Sequence, residues 1–133
     1  MIQANELRIG NYIDTVNRSN NVHLPNNYPL KCYSINLFEI KVCNIEDNFA
    51  QVTEDGFKIV KISDILGIPL TEEIFIKFGF KRFSFNKFSI GSFFIHFEGN
   101  LIMCVKSGVL LTTVHQLQNL YFAVTKQELR IKL

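Results

Sequence analysis

The residues best suited to chemistry in this sequence are cations interleaved with aromatic rings over residues 78–97. This stretch holds eight of the chain's thirteen phenylalanines, together with Lys81, Arg82 and Lys87, and it holds no acid. Lysine and arginine beside aromatic rings can hold phosphates while the rings stack on bases, each stack being worth about 1–3 kcal/mol. The alternative is structural, with the rings turned into a core and the cations left in water.

The spacing of these rings favours a core for some of them and a surface for others. Two runs alternate with the period of a strand and are expected to point inward: Phe83 with Phe85, and Phe93 with Ile95 and Phe97. One inner face cannot hold every remaining ring. We therefore expect three more to cover a partner subunit or to line a pocket: Phe80, Phe88 and Phe94.

A second group of chemically useful side chains lies on a predicted helix that begins at Thr113. Thr113 and Gln116 have the spacing of a capping box. The buried stripe of this helix is expected to comprise Val114, Leu117, Leu120, Tyr121 and Val124. The opposite face then presents four candidate ligand-binding residues: His115, Gln118, Asn119 and Phe122. They could read a nucleotide ring by hydrogen bonding and stacking, or they could be satisfied internally if both sides of the helix are covered.

Motifs of known catalytic centres are missing from the sequence. It has no Gly-rich phosphate loop, no Gly-x-Ser-x-Gly elbow, no His-Glu-x-x-His helix and no Cys-x-x-Cys pair. The three histidines are not at ligand spacing, so no metal site is predicted. The three cysteines are odd in number and widely separated, which is typical of reduced thiols. We expect a protein that is not an enzyme and needs no cofactor.

Composition and sequence pattern predict a folded, soluble and intracellular protein. Of its 133 residues 47% are hydrophobic and 20% are charged, as in globular proteins. The net charge of +2 is too small for bulk attraction to nucleic acid or membrane, so any electrostatic function must come from local clustering. The N-terminus does not have the pattern of a secretory signal, and no apolar run approaches the ~20 residues of a membrane helix.

The order of the predicted elements indicates an α+β fold. Short alternating runs within residues 1–68 predict a small antiparallel SH3-like barrel or sheet. One of its hairpins is expected to turn at Glu54-Asp55-Gly56. Within it Asn17 to Asn36 is expected to be a long polar insertion, in which Asn17 to Asn27 is a loop.

Residues 69–133 form the second predicted subdomain, which we expect to share a core with the first. Thr71 is expected to cap a short helix that Gly79 ends. A β-meander follows from Arg82, then the helix beginning at Thr113. Alternating charge over 129–133 predicts a terminal edge strand.

Three segments carry a resemblance to a known family. They are Ala4-Asn-Glu-Leu-Arg-Ile-Gly-Asn-Tyr12, Gly67-Ile-Pro-Leu-Thr-Glu-Glu73 with Lys77-Phe-Gly-Phe80, and Thr113 to Leu129. In this order they resemble a family of small uncharacterised proteins encoded by gut bacteria, their prophages and their phages. The resemblance implies a phage or mobile-element setting and no particular reaction. The segment Asn17 to Asn36 departs from the family's short first hairpin.

These observations lead to three functional hypotheses. The first is a non-catalytic binding protein of a phage or mobile element, a homo-oligomer that captures a small anionic, nucleotide-like ligand or a host protein, such as a host-defence antagonist. Its site is expected to pair Arg82 or Lys87 with Phe122. The second is a nucleic-acid-binding module in which Lys77, Lys81, Arg82 and Lys87 form one stripe. The third is a structural or virion-assembly protein whose exposed rings are protomer contacts.

Overall fold

The chain combines helices with antiparallel sheets, as its α+β sequence pattern predicts. A computed structural model describes residues 6–15, 30–35, 39–44 and 58–131. The chain divides into two compact units, Met1–Ile68 and Pro69–Leu133. The predicted turn at 54–56 lies outside the described residues.

The N-terminal unit contains a five-stranded antiparallel sheet in the order β4-β3-β2-β1-β5. Its strands are β1 (Tyr12–Thr15), β2 (Leu30–Ile35), β3 (Glu39–Asn44), β4 (Lys58–Lys61) and β5 (Ile65–Leu66). A 3-10 turn, Ile62–Asp64, joins β4 to β5. Among the described residues no ladder joins these two edge strands, so the unit contains an open sheet and not a closed barrel.

Strand β2 lies within the predicted polar insertion Asn17 to Asn36, where the sequence pattern predicted no strand. Leu30 and Lys31 pair with β1, most of the strand pairs with β3, and Cys32 is fully buried. The preceding asparagines hide this strand, because the alternating run Leu30–Ile35 is short and stands at the end of a polar stretch.

The segment around Gly10 shows how the first resemblance motif folds. Gly10 has a φ of 95°, a conformation that glycine adopts without steric cost. The side-chain oxygen of Asn11 accepts a hydrogen bond from the Arg8 N–H at 2.6 Å, and Asn11 is 1% exposed. The Cys32 N–H donates to the Asn11 carbonyl at 2.9 Å. The motif is therefore a tight turn that anchors the start of β1 to β2.

The C-terminal unit consists of a five-stranded antiparallel meander and two helices. Its sheet has the order β10-β9-β8-β7-β6. The helices are α1 (Glu72–Lys77) and α2 (Val114–Thr125), and the strands are β6 (Lys81–Ser84), β7 (Lys87–Ile90), β8 (Phe93–Glu98), β9 (Leu101–Cys104) and β10 (Leu110–Leu111). The predicted meander is thus present, but the predicted single run from Phe88 to Phe97 is divided by a turn at 91–92 into β7 and β8.

Phe75 of α1 is the centre of the aromatic core. It is fully buried, and its ring centroid lies 5.1 Å from that of Phe80, 5.8 Å from Phe88 and 5.4 Å from Phe97. On the other side of the core, the α2 residue Tyr121 packs against Phe93 at 5.2 Å. These contacts correct the expectation that Phe80 and Phe88 lie at a surface, since both are buried.

Helix α1 begins and ends at the signals that the sequence predicts. The Thr71 hydroxyl accepts a hydrogen bond from the Ile74 N–H at 3.2 Å. At the other end, the Phe80 N–H donates to the Phe75 carbonyl at 3.0 Å and the Gly79 N–H donates to the Ile76 carbonyl at 2.9 Å. This pair of bonds is a Schellman motif, and the contact between the Phe75 and Phe80 rings is the apolar contact that accompanies it.

Replacing Gly79 by alanine should destabilise the C-terminal unit by about 1–2 kcal/mol. Its φ of 95° is in the left-handed region, where a side chain clashes with the backbone. Thermal unfolding followed by circular dichroism measures the effect. Lys126, the C-cap of α2 with a φ of 63°, is the opposite control, because Lys126→Gly should stabilise by up to about 1 kcal/mol. A Gly79→Ala variant as stable as the wild type would contradict this account of the motif.

Helix α2 also begins where predicted. Of the two hydrogen bonds of a capping box, the Gln116 side chain makes its bond and the Thr113 side chain, within the described part of the chain, does not. The Gln116 side-chain oxygen accepts from the Thr113 N–H at 3.3 Å and from the Thr112 N–H at 2.9 Å. The cap has capping-box geometry, but the buried Thr113 hydroxyl oxygen has no hydrogen-bond partner among the described residues. The predicted buried stripe holds at Val114, Leu117 and Tyr121. It is wrong at Val124, which is 48% exposed.

The terminal edge strand is not formed over residues 128–131, and the last two residues lie outside the described part of the chain. Leu129 is buried, and its carbonyl accepts a hydrogen bond from the Gln118 side chain of α2 at 3.3 Å. A helix side chain thus satisfies this backbone group. The alternating pattern of the segment reflects packing of Leu129 and not membership of a sheet.

Candidate functional site

The C-terminal sheet has an inner face, which the helices cover, and an opposite face, here called the outer face. Phe88, Phe93 and Ile95 are buried on the inner side, and the first two of them contact rings of α1 and α2. Side chains alternate along a strand, so Phe94 and His96 of β8 point to the outer face.

Strand register places further residues on the outer face, because directly opposed residues of antiparallel strands share a face. Lys87 is opposite His96, Ser89 is opposite Phe94, and Lys81 is opposite Ser89. Phe83 belongs there too, since its ring lies 5.7 Å from that of Phe94 in an edge-to-face arrangement. We call this group the aromatic–basic patch: Lys81, Phe83, Lys87, Phe94 and His96.

Phe83 reaches the outer face because β6 contains an irregularity. The register between β6 and β7 shifts between Arg82 and Ser84, which is the signature of a β-bulge. A shift of one residue moves side chains to the other face of a sheet. The expectation that Phe83 and Phe85 both point inward is therefore wrong, and they are 54% and 86% exposed. The bulge also sits on an edge strand, where it discourages pairing with other chains.

The two rings of the patch remain open to solvent although they touch each other. Phe94 is 39% exposed, and the expectation that this ring covers a partner subunit or lines a pocket stays a prediction. An edge-to-face pair holds both rings in a fixed relative orientation. A flat aromatic or heterocyclic ligand can therefore stack on the patch without first ordering the side chains.

The lysines of the patch carry charge that no acid of the described residues neutralises. Lys81 and Lys87 are exposed and have no ion-pair partner in the part of the chain that the structure describes. By contrast, Lys77 pairs with Glu73 at 3.4 Å and Arg82 pairs with Glu72 at 3.8 Å. Two lysines without an acidic partner among the described residues therefore lie on the same face as Phe83 and Phe94, and that face also carries the exposed Glu98 at the end of β8. Lysines beside exposed rings can hold the phosphates of a ligand.

The structure separates Arg82 from the two lysines with which the sequence grouped it. Arg82 is opposite the inner-face residue Phe88, and its guanidinium carbon lies 5.7 Å from the centroid of that ring. Its Nε and Nη2 donate to the Phe85 carbonyl at 3.2 and 2.5 Å. The predicted single stripe through Lys77, Lys81, Arg82 and Lys87 is consequently not formed, because alternation and the bulge divide it between two faces.

The predicted polar face of α2 is not the open surface that its sequence suggested. His115 and Gln118 are 2% and 1% exposed, and Asn119 and Phe122 are half-buried. Each of the four makes at least one interaction in the structure. The C-terminal segment at Leu129 accounts for the hydrogen bond of Gln118. Because α2 packs on the inner face, Phe122 does not join Lys87 on the outer face. The alternative pairing of Phe122 with Arg82, which lies on the inner side, stays a prediction.

An apolar strip continues the outer face beyond the patch. Met103 is opposite His96, and Leu110 is opposite Met103. Val105 donates its N–H to the Phe94 carbonyl at 3.0 Å. Val105 and Leu110 are 53% and 55% exposed. Along the sheet, the outer face therefore changes from basic and aromatic on β6–β8 to aliphatic on β9 and β10.

The sequence pattern singled out the same segment but did not include Phe83 and His96 in the candidate site. It placed Phe83 in the core and treated His96 as structural. The signal for His96 was present, since its alternation with Ile95 and Phe97 already set it on the side of Phe94. No local signal indicated the bulge that redirects Phe83.

Among the described residues a metal cluster and a membrane-spanning helix were sought and not found, and neither was a match of the chain to a known protein. The described residues contain no group of three or more His, Cys, Asp or Glu placed to hold a metal ion. None of their helices has the length and apolar character needed to cross a bilayer. Comparisons of the chain with protein-family models, with curated proteins and with solved structures found no match.

Proposed function

We propose that the protein is a non-catalytic binding protein that holds single-stranded nucleic acid on the outer face of its C-terminal sheet. The observation that carries this proposal is the aromatic–basic patch, in which two open rings, Phe83 and Phe94, lie between two lysines without acidic partners. Rings on a sheet stack on unpaired bases, and the neighbouring cations hold the phosphates.

The open geometry of the patch favours an extended ligand over a compact one. Binding sites for small molecules bury most of the ligand surface, whereas an exposed sheet face contacts a ligand from one side only. Affinity at such a face must be the sum of several shallow contacts. A single strand supplies these as a series of bases and phosphates, so we rank it above capture of a free nucleotide or a host protein.

Single strands are also favoured over duplex. In a duplex the flat faces of the bases are covered by their neighbours, so Phe83 and Phe94 have nothing on which to stack. We place the protein in the cytoplasm of a bacterial host, where a phage or mobile element would use it. That setting rests on the resemblance of the three sequence motifs.

Replacing Phe94 by leucine should weaken binding of a single-stranded oligonucleotide by about five- to tenfold. Leucine keeps apolar contact but loses the aromatic face, so the loss lies at the lower end of the ~1–3 kcal/mol measured for removing a stacking ring. Fluorescence anisotropy with a labelled pyrimidine oligonucleotide at low salt measures the affinity. A duplex of equal length should bind more weakly to the wild type.

Phe94→Tyr is the matched control, because it changes the same position and retains the ring. It should bind within about twofold of the wild type, since stacking depends on the π face. A wild-type protein that binds no oligonucleotide at low salt would remove the proposal. Equal binding by the leucine and tyrosine variants would show that Phe94 does not stack on a base.

A further inference from the structure

The tip of the β6–β7 hairpin exposes a phenylalanine that the patch does not include. Phe85 and Asn86 form the two-residue turn between Ser84 and Lys87. Phe85 is 86% exposed, which is the highest value among the exposed large hydrophobic side chains of the described residues. Leaving such a side chain in water forgoes the stabilisation that its burial would provide.

Both residues of the turn are held in place by the strands around them. Arg82 donates from its Nε and Nη2 to the Phe85 carbonyl, and its guanidinium carbon lies 5.8 Å from the Phe85 ring centroid. The Asn86 side chain donates to the Phe97 carbonyl at 2.9 Å. The Asn86 carbonyl accepts from the Phe97 N–H at 2.8 Å. The ring therefore projects from a fixed support, and fixing it in a complex costs little further entropy.

Neither turn geometry nor core packing requires a ring at this position. Two-residue hairpin loops usually rely on glycine or asparagine at positive φ. Neither Phe85 nor Asn86 is among the described residues with positive φ. The turn is held by the Arg82 and Asn86 hydrogen bonds instead, and a ring that is 86% exposed contributes little to the core.

We propose that Phe85 is a further stacking position for the strand that the aromatic–basic patch binds, an assignment that rests on the proposed function. The surroundings suit an anion, because the hairpin carries Lys81 and Lys87, which have no acidic partner among the described residues, whereas Arg82 pairs with Glu72. Phe83 and Phe94 of the patch and Phe85 at the hairpin tip then provide three stacking positions. One base on each position requires an oligonucleotide of at least about three nucleotides, and Arg82 is a positioning residue for Phe85.

The test compares how affinity depends on oligonucleotide length in Phe85→Leu, Phe85→Tyr and the wild type. With single strands of about six nucleotides, Phe85→Leu should weaken binding by about fivefold or more, and Phe85→Tyr should match the wild type. With dinucleotides, which can occupy the patch but not also the hairpin tip, Phe85→Leu should bind like the wild type. Because Phe85 is exposed, all three proteins should have the same thermal midpoint.

Arg82→Lys separates the positioning role from a purely electrostatic one. Lysine keeps the charge but lacks the planar fork that holds the Phe85 carbonyl. The six-nucleotide ligand should bind more weakly while the slope of log affinity against log salt stays unchanged.

Different results would contradict the role of Phe85 and the proposed binding function. If the wild type binds six-nucleotide strands and Phe85→Leu binds them equally well, the hairpin tip is not a contact and this inference is overturned while the patch survives. If Phe85→Leu weakens dinucleotides and longer strands equally, the length argument fails. If the wild type binds neither ligand, the proposed function itself is wrong.

Discussion

Phe75→Ala should destabilise the C-terminal unit by about 3–5 kcal/mol, the usual cost of emptying a buried phenylalanine site. Phe75 is fully buried and contacts three other rings, those of Phe80, Phe88 and Phe97. Its removal therefore leaves a cavity, and each of these rings loses a packing contact. Typical stability of about 0.05–0.15 kcal/mol per residue gives roughly 3–10 kcal/mol for a unit of this size, Pro69–Leu133. The substitution should therefore leave this unit marginally stable or unfolded at room temperature.

Urea unfolding followed by circular dichroism measures this loss, and Ile76→Ala is its matched control. Ile76 is the next residue of α1 and is 53% exposed, so its truncation should change stability by about 0.5 kcal/mol or less. Unfolding of Phe75→Ala at the wild-type midpoint would contradict the central place of this ring in the core.

Joint replacement of Lys81 and Lys87 by glutamine should weaken single-strand binding by about 30-fold at low salt. Two solvated phosphate contacts worth about 1 kcal/mol each give this factor. The variant should also change the salt dependence. Each phosphate contact on a single strand contributes about 0.7 to the slope of log affinity against log salt, so the slope should fall by about 1.4.

Lys77→Gln is the matched control for charge. Lys77 is also an exposed lysine, but it lies on α1 and pairs with Glu73. It should bind with nearly the wild-type affinity and salt slope between about 50 and 200 mM salt. An equal loss in Lys77→Gln and in the double variant would mean that net charge, and not the patch, governs binding.

Elements with local signals could be predicted from the sequence. The cap at Thr71, the Schellman glycine at Gly79 and the start of α2 at Thr113 depend on residues within one turn, and all three are where the sequence placed them. The turns at Gly99-Asn100 and Ser107-Gly108 are local as well and were predicted, whereas the turn at Gly91-Ser92 was not. The antiparallel sheet of the N-terminal unit was predicted and is present, whereas its likeness to an SH3 sheet stays a prediction.

What could not be predicted depends on register and on distant parts of the chain. A single bulge between Arg82 and Ser84 exposes Phe83 and directs Arg82 to the inner side, and period-two counting has no way to detect it. His115 and Gln118 looked exposed because they lie opposite an apolar stripe. Their burial depends on other segments, such as Leu129 for Gln118. Local pattern thus located the basic and aromatic stretch but assigned its members to the wrong faces.

The most direct test of the binding account is a residue-resolved map of backbone amide chemical shifts during titration with a short single-stranded oligonucleotide. The largest changes should fall on β6, β7 and β8, around Lys81, Phe83, Lys87, Phe94 and His96. The account predicts little change over the buried face of α2 at His115 and Gln118. Changes confined to α2 or to the N-terminal unit, or no changes at any concentration, would contradict it.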